Sequence, residues 1–247
     1  MNIPPGWIVP DWPVSQRVRA LITTRSGGAS TGAYAGWNFG DHVGDEALAV
    51  SRNRDALREF LPDDPVWLRQ VHGSRVIEAG PGAVGQEADA AVAWHSGRVC
   101  AVLTADCVPV LLADADGSAV GIAHAGWRGL AAGVIENVVC VLGEGGIGCG
   151  SLTAYLGPGI GASAYQVGSD VFEAFVTADA DAASAFVPRG PGKFLADLNK
   201  LARQRLERLG IRRIYGGTFC TYNDPERFYS FRRDGATGRM ASLVWME

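Results

Sequence analysis

One thiol and two imidazoles stand out because each interrupts an apolar run and sits beside glycine, alanine or proline. Cys107 lies in "LTADCVPVLL", His124 in "VGIAHAGWRG" and His72 in "LRQVHGSRV". Two imidazoles and a thiolate suit Zn²⁺, and three protein ligands leave a fourth position for water or substrate, as in catalytic zinc sites. Small neighbours let a ligand approach closely. His72 and Cys107 are 35 residues apart, and Cys107 and His124 are 17 apart. That is not a zinc-finger spacing, so the fold must bring the three together. Singly, each has a plainer explanation: a buried cysteine is usually a small hydrophobe, and a lone histidine a hydrogen-bonded core or surface residue. The same pair also admits nucleophilic chemistry, with Cys107 attacking and His124 as its base, in a hydrolase or deamidase. A metal-bound interaction module without turnover is a third reading. His42 and His95 read as loop or turn histidines.

Positioning these groups falls to β segments, since all three sit at the ends of strand-like runs. Residues 17–25 read as a strand, followed by a long loop rich in glycine and aromatics. "DEALAVSRNRDALREFL" has helical spacing through Leu48, Arg52 and Leu57. "PVWLRQVHGSRVIEAG" reads as one strand bent at His72–Gly73, and "ADAAVAW" as a short strand. "RVCAVLTADCVPVLLAD" reads as two β segments joined over Ala105–Pro109, because Pro109 has no N–H for a central ladder. "SAVGIAHAG" is another strand. "WRGLAAGVIENVVCVLGEGG" turns helical, with Leu130, Val134, Val138 and Val141 on one face and Gly143 as its stop. "LTAYLG" is a strand, and helices follow at "SDVFEAFVTA", with Ser169 as candidate cap, and at "ADLNKLARQRLERLG", with Leu198, Leu201, Ala202 and Leu209 facing inward. The chain closes with expected strands "RRIYGGTFCTY", "RFYSFRR" and "GRMASLVWM".

The 247 residues are 47% hydrophobic and 19% charged, enough for a full core. With no repeat, linker or low-complexity segment, residues 1–247 read as a single α+β domain: two packed mixed β-sheets flanked by helices. A net charge of −4 argues against a nucleic-acid partner, which needs a basic face. No apolar run is long enough to span a bilayer. The N-terminus has neither a basic start nor an apolar core, so the expected location is cytoplasmic. Five cysteines, an odd number with no CxxC, argue against a disulfide framework.

The stretches "TTRSGGASTGAYAGWNFGDHVGD", "LRQVHGSRV", "ADAAVA", "LTADCVPVLL", "AHAGWRG", "LGPGIGASAYQVGSDV" and "FCTYNDPERFYSFRRDGATGRMASLVWM" together resemble the YfiH family, also called the multicopper polyphenol oxidase or laccase-domain family. The resemblance covers nearly the whole chain. It implies a fold similar to that of a bacterial toxin deamidase, which gives the Cys107–His124 hydrolase or deamidase reading a cell-wall or protein substrate, and it implies zinc on His72, Cys107 and His124. It also implies purine nucleoside phosphorylase activity on adenosine, inosine and methylthioadenosine, with some adenosine deamination. The chain departs from the pattern at Gly159, where the family often has cysteine, and at Gln166, where glutamate is common. The oxidase name fails a count of donors: a trinuclear copper cluster plus a blue-copper site needs many histidines, and the chain has four. Copper misloaded at the three-ligand site would support weak phenol oxidation only.

Phosphorolysis needs a nucleoside site and an anion site for phosphate. Guanidinium forks suit phosphate oxygens, which makes Arg25, Arg128, Arg232 and Arg233 the candidates. Arg128 follows His124 closely and begins a helix, whose N-terminus favours anions. On a strand, Arg232 and Arg233 would alternate, leaving one to face the pocket. Trp37, Phe39, Tyr229 and Phe231 are candidates for stacking on a purine, although core packing is the commoner role. Asn38, between two aromatics, is a candidate hydrogen-bond partner for substrate, and Asp106 a candidate support for Cys107.

Overall fold

Three runs, Val99–Thr104, Val108–Asp114 and Val120–Ala125, are buried along their whole length. Continuous rather than alternating apolarity belongs to strands covered on both faces. The computed structural model describes residues 3–247 and shows what covers them. In chain order the elements are β1 (Val18–Ile22), α1 (Ala47–Arg58), β2 (Pro65–Val66), β3 (Val76–Glu78), β4 (Ala90–Ala93), β5 (Val99–Thr104), β6 (Val108–Asp114) and β7 (Val120–Ala125). There follow α2 (Trp127–Ala131), α3 (Val134–Glu144), β8 (Leu152–Leu156), β9 (Gln166–Gly168), α4 (Ser169–Val176), β10 (Phe186–Pro188) and β11 (Lys193–Ala196). The chain ends with α5 (Leu198–Arg208), β12 (Arg213–Gly216), α6 (Phe231–Asp234) and β13 (Met240–Met246).

A six-stranded sheet, order β12-β8-β6-β7-β4-β3, packs on a four-stranded sheet, order β1-β13-β5-β2. Both are mixed: β12/β8, β3/β4 and β2/β5 pair parallel, and the other pairs within them are antiparallel. The two-residue period of a strand sorts side chains between the faces. From the larger sheet, Ala91, Leu111 and Ile122 point at the smaller one and meet Ile22, Val102 and Val244. On its other face, Val92, Val110 and Ala123 meet Ile135 and Val138 of α3 and Leu201 of α5. The smaller sheet turns its second face to Trp7, Phe39 and Leu57. The architecture is therefore α+β, with the two sheets stacked and α3, α4 and α5 on the outer face of the larger. A third sheet, order β10-β11-β9, lies outside that expectation.

Several elements differ from the sequence reading. Residues 65–79 form two short strands, not one bent strand, because β2 and β3 belong to different sheets. Pro109 lies inside central strand β6. Its carbonyl accepts from Gly157 N at 2.8 Å and β8 pairing begins at Val110, so the missing N–H removes one rung at the ladder's end. The helix expected from Trp127 breaks at Gly133, whose φ of +84° favours glycine. "RFYSFRR" is not a strand: Ser230 caps the single turn of α6, its hydroxyl accepting from Arg233 N at 3.2 Å. Leu48 is exposed, and Ala49, Val50, Asn53 and Leu57 form the buried face of α1.

Candidate metal centre and its cavity

The site lies where the chain crosses between the two large sheets. One crossing runs from β2 to β3 and carries His72; another runs from β5 to β6 and carries Cys107; His124 stands near the end of β7. Gln70 fastens the first crossing to β5, donating from Nε2 to Leu103 O (2.9 Å) and accepting from Leu103 N (2.7 Å). His72 and Asp106 both adopt left-handed backbone, at φ +59° and +95°. Such conformations cost about 1–3 kcal/mol in non-glycine residues unless surroundings impose them.

Two buried carboxylates impose them. Asp89, just before β4, accepts from the backbone N–H groups of Val71 (3.1 Å), His72 (2.9 Å) and Gly73 (2.7 Å). The same carboxylate lies 2.8 Å from His124 Nδ1, so it fixes one imidazole directly and the turn carrying the other. With Nδ1 so engaged, Nε2 of His124 is the nitrogen left to ligate. Asp106 accepts from Thr221 Oγ1 (2.6 Å) and Arg232 N (2.7 Å), binding the Cys107 turn to the start of α6.

Electrostatics follow from this geometry. Burial pushes the Cys107 thiol up, but the charge of His124 and hydrogen bonds from His124 and His72 bring it down to about 6. Burial pushes His124 down, yet the Cys107 charge and Asp89 raise it to about 9. Burial likewise favours the neutral form of Asp89, and His124 with the Gly73 and Val71 N–H groups holds it below the usual carboxylate range. The ligand atoms of His72, Cys107 and His124 all lie within 4.8 Å of one another, and the two imidazole centroids are 4.7 Å apart. Bonds of about 2.0–2.3 Å to one zinc require ligand atoms less than about 4.6 Å apart, which small side-chain rotations from this arrangement supply. Gly126 keeps the space clear: a Cβ there would meet Cys107 Sγ at 2.7 Å and His72 Cδ2 at 3.2 Å. The residues therefore fit a three-ligand metal centre, and they are the one such cluster among the described residues.

A cavity of about 430 Å³ opens on the cluster, within the size range of small-ligand sites. Arg128 and Arg232 line it, as do Asp106 and Phe231. Other expected binding residues do not. The Arg25 guanidinium stacks on Tyr229 and donates to Pro225 O (3.2 Å). Arg233 donates to the carbonyls of Thr221, Tyr222 and Phe228 and pairs with Asp234. Asn38 is fully buried and spends its amide on Gly40, Asp45 and Arg239 N. Trp37, Phe39 and Tyr229 pack in the interior, whereas Phe231 is 58% exposed at the cavity. Gly159 has no room for a side chain, since a Cβ would sit 2.6 Å from Val108 Cγ2, and exposed Gln166 offers its carbonyl to Arg232 Nη1 (2.6 Å). His42, expected to be a plain loop residue, lines the cavity, as do Gln70 and Arg239.

A family model described as multi-copper polyphenol oxidoreductase laccase matches residues 19–247. The chain belongs to this laccase-like family. Members similar to it include a protein of Pseudomonas aeruginosa, 51% identical over 98% of this chain and 99% of its own length, named purine nucleoside phosphorylase. One of Escherichia coli, 47% identical over 97% of this chain and 98% of its own, is named purine nucleoside phosphorylase YfiH. Among solved structures, a Neisseria meningitidis protein superimposes with a TM-score of 0.94 at 48% identity, covering 98% of this chain and 99% of that one. A Bacillus licheniformis protein titled hypothetical protein YfiH gives 0.89 at 31% identity, covering 93% of each. Despite the family's title, the four histidines of this member fall short of a multicopper donor set. No helix among its described residues is long and apolar enough to cross a membrane.

Proposed function

We propose that this chain is a zinc-dependent purine nucleoside phosphorylase acting on adenosine, inosine and methylthioadenosine, with adenosine deamination as a side activity. The convergence of His72, Cys107 and His124 on a nucleoside-sized cavity carries the reading, and the names of relatives about half identical in sequence support it. His72, Cys107 and His124 hold the metal, and Asp89 sets the tautomer and angle of His124. Bound there, zinc supplies Lewis acidity toward an oxygen ligand. Arg128 and Arg232, on the same cavity, bring positive charge to phosphate. Phe231 presents an exposed ring against which a purine can stack. In the reaction a phosphate oxygen bonds to C1′ as the C1′–N9 bond breaks; the base leaves with that electron pair and takes up a proton.

The purified, zinc-loaded protein should release hypoxanthine from inosine only when inorganic phosphate is present, with ribose 1-phosphate as co-product. Cys107→Ala should lose both bound metal and turnover, the latter by at least about 10³-fold. Base release at the same rate without phosphate would overturn the phosphorylase reading. Ammonia release from adenosine tests the deaminase activity separately.

A second reading draws on the alignment Asp89–His124–Cys107, in which an oriented imidazole charges a thiol brought down to about 6. That is the arrangement of a Cys–His hydrolase. Such an enzyme would work after chelation and would be silenced by a thiol alkylator; a metal-dependent phosphorylase would stop at the chelation step.

A further inference from the structure

Three guanidinium groups line the cavity, from Arg128, Arg232 and Arg239, against two acidic groups, Asp106 and Cys107. A divalent metal on the cluster would add to the positive side, so the cavity as a whole favours an anion. The three arginines are not equivalent. Arg128 stacks on the Trp127 ring, and Arg232 stacks on Tyr165 and gives Nη1 to Gln166 O (2.6 Å), but both are exposed, and an anion held by an exposed guanidinium gains little over water. Arg239 is half-buried and already held.

Its backbone is fixed on both sides, its N–H donating to Asn38 Oδ1 (2.8 Å) and its carbonyl accepting from Phe39 N (3.1 Å). Its side-chain stem lies against Gly40, where a Cβ would come within 2.9 Å of Arg239 Cγ. Nη1 donates backward to Thr237 O (2.8 Å) and Gly238 O (3.0 Å). The guanidinium carbon stands 5.9 Å from the Phe231 ring centroid. A guanidinium tied back through Nη1 keeps its opposite edge, the parallel N–H groups of Nε and Nη2, for a bidentate acceptor. Among the described residues no carboxylate pairs with Arg239 and no protein acceptor takes that edge. Such a half-buried cation is stabilised once an anion arrives.

We propose that Arg239 is the anchor of an oxyanion subsite for inorganic phosphate, gripping two phosphate oxygens through Nε and Nη2, with Arg128 and Arg232 as exposed auxiliaries. The proposal rests on the phosphorylase reading and adds to it the group that positions the attacking phosphate. Asn38 then acts as a positioning residue through the Arg239 backbone, not by touching substrate.

The test uses full-length, metal-loaded wild type, Arg239→Met and Arg239→Lys. Bound metal and the melting temperature without phosphate report on folding and on the metal centre, and should be close to wild type in both variants. Inorganic phosphate alone should raise the wild-type melting temperature, and should do so little or not at all for Arg239→Met. With inosine as substrate, KM for phosphate should rise by about 10- to 100-fold in Arg239→Met, the range expected for hydrogen bonds to a charged group. KM for inosine should move by less than about threefold. Arg239→Lys, with charge but no fork, should fall between the two. Removal of Arg128 by Arg128→Met should weaken phosphate less than removal of Arg239. An Arg239→Met protein with unchanged phosphate KM and an unchanged phosphate-induced melting shift would overturn the proposal while leaving the phosphorylase reading intact. A wild type that turns over no nucleoside, yet is stabilised by phosphate only while Arg239 is present, would sink that reading and keep the subsite.

Discussion

Leu111 and Asp89 are both completely buried, and they represent two regions built on different terms. Leu111 lies between the sheets, among Ala91, Val102, Ile122 and Val244, where the requirement is volume. Its partners are interchangeable in kind, and any well-fitting aliphatic would serve nearly as well. Asp89 lies at the crossing, where its two oxygens meet three backbone N–H groups and one imidazole. There the requirement is atoms of one type in one place, because an unpaired buried polar group costs about 1–3 kcal/mol. The interior supplies stability without chemistry. The crossing concentrates left-handed backbone and buried charge, the features that the interior avoids.

The contrast can be broken from either side. Leu111→Ala should give the largest change in stability, about 2–5 kcal/mol by denaturant titration, while metal content and phosphate KM per folded molecule stay as in wild type. A loss of metal affinity in that variant would erase the distinction. Asp89→Asn should do the reverse. Its amide cannot accept on both sides, so His124 and the 71–73 turn lose their common anchor, and metal affinity should fall by about 10- to 100-fold in a chelator competition. Unchanged affinity would mean that the carboxylate serves only the turn.

The third test is subtler and concerns the metal-free protein. With Cys107 brought down to about 6, alkylation at that residue, followed by mass spectrometry, should be half-maximal near pH 6, well below an ordinary thiol at about 8.5. His124→Gln should move the midpoint upward, since burial alone raises it. The linked stability has a definite sign. The Cys107 contribution is complete above about 8.5 and is lost as pH falls through 6; that of His124, raised to about 9, is complete below about 6.5 and is lost as pH rises through 9. Metal-free protein should therefore melt highest between those limits. A stability profile flat from pH 5 to 10 would show that the pair does not charge.

The same contrast explains what the sequence discloses. β5, β6 and β7 are legible as apolar runs, and Cys107, His124 and His72 because their chemistry is conspicuous inside or beside such runs. Asp89 is not legible: nothing local distinguishes it from the other acids of the chain, and its partners lie 16 to 18 residues back and 35 residues on. Arginine type alone does not separate Arg239, on the cavity, from Arg233, spent on carbonyls; contacts distant in sequence, such as that of Arg239 N with Asn38 Oδ1, decide between them. The strand expected at "RFYSFRR" fails because Ser230, whose hydroxyl accepts from Arg233 N, starts a helical turn in the middle of it. β9, β10 and β11 are only three or four residues long and partly exposed, too short to leave a periodic trace.

The spacing of the three metal-ligating candidates has a meaning for polymer physics as well as for coordination. An ion held by His72, Cys107 and His124 closes two rings of chain, one of 35 residues and one of 17. By loop-closure arithmetic, rings of those sizes remove about 3–4 kcal/mol each of unfolded-state freedom if they survive denaturation. The crossings would then be knotted down by a reversible clasp, in a chain whose cysteines are all free. Resistance to heat and proteolysis would follow the supply of metal, so a protein starved of it would lose part of its lifetime.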